Sequence, residues 1–417
     1  MVRKKRLGTM RVTIRVLTAA AVAVLVGAVV PSANAAQYDP TSSRGFTLAG
    51  HGYGHGRGLS QWGAYGAATK GVGLVAILDF YYPGTTRSQL ADAPIRVSLS
   101  TGSSTQVAVD ALGSMAVTAG GTKVTLPATH AATGRTISAW RLVPNPSGSG
   151  LRLDFTYTGA GGWVRDRVFS TATAEFTSTR GTLRLIRPDS SRREYRGSLR
   201  AVRNVLTLST INVLPMESYL RSVVPAEMPA SWPATALAAQ AVAARTYAAY
   251  KRARATGASD ICDTTACQVY AGKAAWSSSG SLLRAYEVTT TDSAITASRL
   301  RALRYGSGFA LTEFSSSNGG YTVASSLPYQ VAKPDPYDGA VRNTANSWTK
   351  SVTLSALSDA WPSIGTAKAL VVNSRDGYGQ WGGRVTSVSI VGTHATITVT
   401  GARFTSALGL RSTWWRG

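Results

Sequence analysis

The sequence predicts an α+β fold: a strand-rich domain, with an inserted β region, packed on a helical core of small residues. Two observations carry this prediction. Runs that alternate apolar and polar residues extend from Pro94 to about Thr210, and Gly, Ser and Pro break them at the spacing typical of antiparallel strands. From Pro233 to Tyr250 the pattern changes to nine alanines in eighteen residues without internal Pro or Gly, which predicts a buried helix.

The first 35 residues have the three parts of a secretory signal peptide. Six Lys and Arg residues come first, a mostly apolar run from Val16 to Val30 follows, and Ala33-Asn34-Ala35 supplies a small-x-small cleavage site before Ala36. The apolar run is shorter than the ~20 residues that a membrane-spanning helix needs. We therefore predict a secreted protein that works in the cell wall or outside the cell.

Removal of this leader changes the formal net charge from +24 to +18, because residues 1–35 hold six basic residues and no acidic residue. An exported protein this basic is expected to bind wall polyanions, such as teichoic acids, or anionic lipid head groups. We predict no nucleic-acid partner, since an exported protein works away from nucleic acid. The alternative is that the charge only keeps the protein in solution.

The remaining chain divides into regions of different pattern. Residues 36–92 form a glycine- and histidine-rich segment with predicted helices over Leu59–Thr69 and Leu74–Phe80. Residues 93–210 form the β-rich region, and residues 211–417 form the core that contains the alanine-rich helix. We see no tandem repeat of the kind that marks solenoids or propellers.

Cys262 and Cys267 are the two cysteines of the chain. In an oxidising compartment such a close pair usually forms a disulfide, whereas structural zinc needs four ligands. Zinc remains the alternative if Asp260 or Asp263 takes part. We predict a disulfide between Cys262 and Cys267, no metal and no cofactor.

Glu227 is the strongest candidate for acid–base chemistry among the six glutamates of the chain. Pro225 and Pro229 stiffen the backbone around it, and its apolar neighbours Ala226 and Met228 disfavour the charged form and so raise the carboxyl pKa. A raised carboxyl pKa is what a general acid at a glycosidic bond requires. The alternative is a structural role, in which Glu227 caps or pairs with the following helix.

Two further charged residues lie near Glu227 in the sequence. Glu217 precedes a predicted short helix over Ser218–Val224, where a capping or ion-pairing role is expected. Arg245 lies in the small-residue helix, and if it is buried it must pair with an anion. Glu217 and Glu227 are its candidate partners.

The segment from His51 to Gly63 is a second candidate binding site. Its glycines allow the backbone to come close to a ligand. His55, Ser60 and Gln61 offer hydrogen-bonding groups, and Trp62 offers an aromatic face for a sugar. The alternatives are a tight turn with Trp62 in the core, or a histidine metal loop.

Taken together, five blocks of the sequence resemble the SpoIID/LytB family, whose name refers to a sporulation protein. They are LPMESYL at 214–220 with VVPAEMP at 223–229, AQAVAARTYA at 239–248, CQVY at 267–270, FSSSNGG at 314–320, and GHGRGLSQWGA at 54–64 with YYPGT at 81–85. The resemblance covers most of residues 45–413.

The resemblance implies a lytic transglycosylase that cuts peptidoglycan glycan strands, with Glu227 of the AEMP motif as catalytic acid and base. It also implies that His55, Gln61, Arg245 and Ser317 line the substrate cleft. One carboxyl group suffices, because it protonates the glycosidic oxygen and then takes a proton from the sugar 6-hydroxyl, which closes an anhydro ring. Some relatives bind zinc through a histidine and two cysteines, but no histidine lies near the cysteines here.

The order of the blocks differs from the usual family arrangement. There the glycine-histidine block comes last, after a segment like FTSALGLRST at 404–413, whereas here it precedes the others. The order therefore resembles a circular permutation. We predict that residues 45–86 fold back against the domain around Glu227, and that the chain ends lie near each other.

Two other functions remain open. The other half of the family name belongs to amidase enhancers, which implies a non-catalytic wall-binding protein with a cell-wall amidase as partner. The second is an ordinary glycoside hydrolase with a second carboxylate such as Asp338, which would release reducing ends rather than anhydro ends.

Overall fold

The computed structural model describes residues 35–417 and has the predicted strand-rich α+β fold. The predicted signal peptide lies outside these residues, apart from Ala35. Within residues 35–417, no helix is long and apolar enough to cross a membrane. The described helices are α1 (Gln61–Thr69), α2 (Leu74–Tyr81), α3 (Met216–Glu227), α4 (Ala234–Arg254), α5 (Thr289–Ala297), α6 (Leu354–Ala360) and α7 (Gly401–Ala407), with short 3-10 turns at Pro362–Ile364 and Gln380–Gly382.

The strands of the same residues follow a continuous numbering in chain order. They are β1 (Ala36–Tyr38), β2 (Gly45–His51), β3 (Leu59–Ser60), β4 (Thr86–Gln89), β5 (Pro94–Ser98), β6 (Val107–Asp110), β7 (Met115–Ala119), β8 (Thr122–Leu126), β9 (Ile137–Pro144), β10 (Leu151–Tyr157), β11 (Val164–Phe169), β12 (Thr173–Ser178), β13 (Thr182–Ile186), β14 (Arg192–Arg196), β15 (Ser198–Asn204), β16 (Thr207–Pro215), β17 (Ile261–Cys262), β18 (Ala274–Trp276), β19 (Leu282–Ala285), β20 (Arg301–Tyr305), β21 (Gly308–Phe309), β22 (Phe314–Ser315), β23 (Ser347–Thr353), β24 (Ala367–Arg375), β25 (Val385–Gly392), β26 (Thr396–Thr400) and β27 (Trp415–Arg416).

Two large sheets form the strand-rich part. One has the order β17-β5-β16-β15-β12-β7-β8 and the other β11-β10-β9-β6-β13-β14-β18-β19. Alternate side chains of both sheets, such as Trp140, Phe155 and Phe176, share one apolar core. Strands β17, β18 and β19 lie after residue 210, the predicted end of the β-rich region, and β16 runs across that boundary. The β region and the helical core are therefore joined by hydrogen-bonded strands, and the predicted division at residue 210 stays a prediction.

Helix α4 lies between two apolar cores. Ala241 and Ala244 pack into the core of the large sheets, whereas Leu237 and Val242 belong to a second core with α1 and α2. The many alanines allow elements on both sides to approach the α4 backbone closely. The helix follows directly after Pro233 and ends at Arg254, one turn beyond the predicted end.

The N-terminal and C-terminal segments of the described chain pack together. Strand β2 pairs antiparallel with both β23 and β27, and β1 pairs with β24. The rings of Tyr38 and Trp415 lie 6.4 Å apart. The predicted closeness of the two segments is therefore confirmed, while a permuted origin of this order stays a prediction.

Candidate active site

An open cleft of about 480 Å³ lies where the glycine-histidine segment meets the end of α3. Its wall also includes α4, the loop that follows β17, and the segment around β22. The lining residues are Tyr53, Gly54, His55, Gln61, Glu227, Tyr247, Thr265, Ala266, Cys267, Val269, Glu313, Phe314, Ser315 and Ser316. The structure thus brings the predicted site residues Glu227, His55 and Gln61 together.

Glycines allow the glycine-histidine segment to lie directly on the segment around Glu313. Gly56 and Gly58 have φ angles of +73° and +63°, a conformation that favours glycine. A Cβ on Gly58 would lie 2.1 Å from the Glu313 carbonyl oxygen. Strand β3 pairs in parallel with β22 directly after this point. Residues 45–86 therefore dock beside Glu227, as predicted.

Gln61 is the first residue of α1 and projects into the cleft. The hydroxyl of Ser60 caps this helix by accepting the Gly63 N–H at 3.1 Å. The buried Gln61 side chain donates to the Gln240 side chain at 3.5 Å and hydrogen-bonds the Glu227 carboxyl. The cap sets the direction in which α1 begins, so it positions Gln61 against Glu227.

Glu227 is the last residue of α3 and opens on the cleft. The Val269 N–H donates to its Oε1 atom at 3.0 Å. Burial raises the pKa of Glu227, while the hydrogen bonds from Val269 and Gln61 oppose this shift only in part. The carboxyl group therefore keeps its proton to a higher pH than a free glutamate does.

His55 faces the cleft from the opposite chain segment. The Arg57 N–H donates to its Nδ1 atom at 3.0 Å, so the neutral ring carries its proton on Nε2. Desolvation by the surrounding cleft wall, together with the guanidinium charges of Arg57 and Arg384, lowers the pKa of His55 to about 4. His55 is therefore neutral near pH 7 and offers an N–H donor rather than a charge.

We expect an NMR titration of the imidazole signals to give a pKa near 4 for His55, against the ordinary value of 6.5. Between these two pH values the folded protein binds fewer protons than the unfolded chain, so the free energy of unfolding should decrease as the pH falls through this window. A midpoint near 6.5 for His55 would contradict this account of its surroundings.

Glu313 is a second carboxylate on the cleft wall. Burial alone raises the pKa of Glu313, but hydrogen bonds from Arg57 and Gln330 and the charge of Arg57 outweigh it, so the pKa is lowered. Arg57 donates to both carboxylate oxygens, at 2.7 and 2.9 Å. The sequence reasoning did not assign Glu313 to the site, although glutamate is scarce and Glu313 directly precedes the FSSSNGG block.

Arg245 does not line the cleft, which corrects the expectation from the family resemblance. Its side chain has no exposed surface and donates to both carboxylate oxygens of Glu217, at 2.7 and 2.8 Å. It also donates to the Arg301 carbonyl at 3.2 Å. Arg245 thus joins α3, α4 and β20. Of the two candidate partners that the sequence suggested, Glu217 and Glu227, the structure shows Glu217.

Ser317 and Asp338 also lie behind the cleft wall rather than on it. Both side chains are fully buried, and the Ser317 hydroxyl donates to Asp338 Oδ1 at 2.7 Å. Asp338 accepts further hydrogen bonds from the side chains of Ser60, Asn343 and Asn346. Ser317 is thus hydrogen-bonded within the protein and is not among the residues that line the cleft. Asp338 does not fit the second carboxylate of a hydrolase, because it is fully buried and does not line the cleft.

Cys262 and Cys267 form a disulfide with a Cα–Cα distance of 5.6 Å. Cys267 lines the cleft, and the loop that the disulfide closes leads directly to Val269, which holds Glu227. The two possible zinc partners are engaged elsewhere: Asp260 pairs with Arg96 at 2.6 Å, and Asp263 accepts a backbone N–H. The disulfide thus braces one wall of the cleft.

We expect the double variant Cys262→Ser/Cys267→Ser to lose about 2 kcal/mol of the free energy of unfolding, because the short loop regains conformational freedom in the unfolded chain. Denaturant unfolding of the wild type under oxidising and reducing conditions should show the same difference. Equal stability of the oxidised wild type and the double variant would rule out a bracing role.

Three aromatic rings cluster beside the cleft. Trp232 lies 4.7 Å from Trp62 and 4.8 Å from Tyr65, measured between ring centroids. The backbone N–H of Trp62 donates to the backbone carbonyl of Ser316, a cleft residue, at 3.0 Å. All three aromatic residues are partly exposed. Trp62 is thus not a core residue, and a sugar-stacking role for it stays a prediction.

Comparison with known proteins gives a match at the centre of this site. Residues 205–305 match the model of the SpoIID family, described as stage II sporulation protein. This segment carries α3 and α4, Glu227 and the disulfide. The glycine-histidine segment, with His55 and Gln61, lies outside it.

Two curated relatives are similar to parts of the chain. The amidase enhancer of Bacillus subtilis is 39% identical over 155 residues, which cover 34% of this chain and 20% of that protein. An uncharacterized protein of Brachyspira hyodysenteriae is 33% identical over 175 residues, which cover 40% of this chain and 44% of that protein. The chain spans less than half the length of these relatives. The segment at residues 205–305 is therefore similar to the SpoIID family, and the amidase enhancer is a relative of part of the chain.

Proposed function

We propose that the protein is a secreted peptidoglycan lytic transglycosylase, which cleaves glycan strands and leaves anhydro-muramyl ends. The state of Glu227 carries the proposal: a carboxyl group with a raised pKa opens on a cleft of about 480 Å³. A general acid must hold a proton at the working pH and release it at the reacting oxygen. Burial favours the protonated form of Glu227, and its position on the cleft places the carboxyl group where a glycosidic oxygen can reach it.

The first step of the proposed reaction is proton transfer from Glu227 to the glycosidic oxygen. The bond from that oxygen to C1 of the muramyl sugar breaks, and the leaving sugar departs with the proton as a hydroxyl group. Positive charge develops on C1 and its ring oxygen. The ionised Glu313 on the cleft wall favours this charge electrostatically, because its pKa is lowered and it remains a carboxylate.

In the second step the 6-hydroxyl oxygen of the same sugar bonds to C1, and the Glu227 carboxylate takes its proton. Glu227 is thereby restored to the protonated form, and the product carries a 1,6-anhydro ring without added water. The hydrogen bonds from Val269 and Gln61 hold the carboxyl group in place through both steps. The neutral His55 lines the same cleft and adds no positive charge there.

The setting of this activity is part of the proposal. The predicted signal peptide, the disulfide and the net charge of +18 expected after removal of residues 1–35 suit a protein that is exported and held at an anionic wall. Wall polyanions are then secondary binding partners, and glycan strands are the substrate.

The test is to incubate residues 36–417 with peptidoglycan, both intact and treated with an amidase, and to identify the soluble products by mass spectrometry. Anhydro-ended saccharides from the wild type, and none from Glu227→Gln, are expected. Products with reducing ends would instead indicate a hydrolase, with Glu313 as its second carboxylate.

The second candidate is an amidase enhancer, because a relative that is 39% identical over 155 residues bears that name. In this case the cleft binds glycan without cutting it, and a separate cell-wall amidase is the partner. Tight wall binding without products, together with faster digestion of walls by an added amidase, would support it. Equal stimulation by Glu227→Gln would show that the carboxyl group is not needed.

A further inference from the structure

The exposed side of α4 carries a stripe of aromatic and basic residues, which we call the α4 stripe: Tyr247, Tyr250, Lys251 and Arg254. Their spacing places them on one face of the helix over roughly 10 Å, at 1.5 Å per residue. Lys251 Nζ lies 5.3 Å from the centre of the Tyr247 ring, and the Arg254 guanidinium lies 3.7 Å from that of Tyr250. The stripe therefore presents two cations on a rigid aromatic base.

The charge of the stripe is not neutralised by the protein. Neither Lys251 nor Arg254 forms an ion pair with any carboxylate in residues 35–417. The sequence between Glu227 and Asp260 contains no acidic residue. Cations in the last turn of a helix are favoured by its dipole, which explains their presence in part. The dipole does not explain why Lys251 and Arg254 lie over tyrosine rings, one of which lines the cleft.

The stripe is continuous with the cleft. Tyr247 lines the cleft together with Glu227 and Glu313, and Lys251 lies over the ring of Tyr247. The lining of the cleft contains these two acidic residues and no lysine or arginine. The charge therefore changes from acidic to basic along the path from the cleft to the stripe. A glycan strand that leaves the cleft on this side would therefore pass from acidic to basic surroundings.

We propose that the α4 stripe binds carboxylate groups carried by the glycan strand that occupies the cleft. This inference rests on the proposed function, because it takes that strand to be peptidoglycan. The acidic groups of such a strand are carboxylates, either of the lactyl substituent itself or of an attached stem peptide. The ammonium of Lys251 and the guanidinium of Arg254 supply charge-assisted donors to them, and the tyrosine rings support the sugar between.

The test measures equilibrium binding in a Glu227→Gln background, so that no cleavage is needed. The probes are soluble strands with free lactyl groups, soluble strands with stem peptides, a teichoic acid as phosphate polymer, and neutral chitohexaose. The variant is Lys251→Gln/Arg254→Gln, and the matched control is Lys123→Gln/Arg180→Gln, which removes two exposed charges from the β region. We expect the stripe variant to weaken binding of a carboxylate-bearing strand by on the order of fivefold or more at low salt, without a change for chitohexaose.

The pattern of losses decides the outcome. A loss for free lactyl strands alone assigns the site to the lactyl carboxylate, and a loss for stem-peptide strands alone assigns it to the peptide. Equal loss for chitohexaose, no loss for either strand, or loss only for a phosphate polymer such as teichoic acid would overturn the proposal. Because cleavage is not measured, a wild type that forms no anhydro ends would refute the proposed function and leave this result standing.

Discussion

Replacement of Glu227 by glutamine is expected to lower the rate of glycan cleavage by on the order of 100- to 10,000-fold, the usual contribution of a positioned acid–base group. Glutamine has nearly the same shape and keeps an oxygen that can accept the Val269 N–H. It cannot donate a proton to the glycosidic oxygen and take another back. The change therefore removes the chemistry and leaves the cleft in place.

Product formation by mass spectrometry and the free energy of unfolding are both measured. The raised pKa means that the folded protein favours the protonated carboxyl, so ionisation of Glu227 costs stability as the pH rises above the ordinary range of a glutamate. Glutamine lacks this cost, and the variant should be at least as stable as the wild type near pH 7. Glu175→Gln, on the β sheet beside Arg200, is the control and should keep full activity. Cleavage by a folded Glu227→Gln protein would exclude the assigned role.

Replacement of Arg245 by methionine is expected to lower the free energy of unfolding by about 3–5 kcal/mol, the cost of breaking a buried ion pair. Arg245 is fully buried, whereas the side chain of Glu217 keeps only 16% of its surface exposed. Without the guanidinium, the Glu217 carboxylate and the Arg301 carbonyl lose their donors.

Chemical denaturation compares this variant with Glu217→Gln and with the double variant Arg245→Met/Glu217→Met. The double variant should recover part of the loss, since it removes the uncompensated charge together with its partner. Glycan binding per folded molecule should change little in all three. A stable Arg245→Met protein that fails to bind glycan would instead return Arg245 to the substrate cleft.

Local patterns in the sequence determined most of the fold. The alternating runs between Pro94 and Thr210 became strands of the two large sheets, and the alanine-rich run became α4. Both predictions follow from the spacing of apolar residues, because the residues that an element buries recur at its own structural period. The end of α4 was predicted one turn early, since the last turn consists of Lys251, Arg252, the exposed Ala253 and Arg254 and therefore shows no buried face.

The sequence also determined that Glu227, His55 and Gln61 belong to one site, through the family blocks that contain them. Which neighbouring residues join them was decided only by the tertiary structure. Glu313 reaches the cleft because β22 pairs with β3, a contact between segments more than 250 residues apart. The family block that contains Arg245 led us to expect it in the cleft, but its side chain points into the protein interior and pairs with Glu217.

The physical reason is the same for each of these differences. A periodic pattern indicates that a side chain is buried, but it does not indicate which residues that side chain contacts. That depends on elements packed from distant parts of the chain. The pKa values depend on it as well: His55 stays neutral partly because Arg384, more than 300 residues later, lies beside its loop. The sequence by itself thus determined the main helices and strands and the blocks that resemble the SpoIID/LytB family, including the one that contains Glu227, and packing decided which charges face the cleft and which are buried behind it.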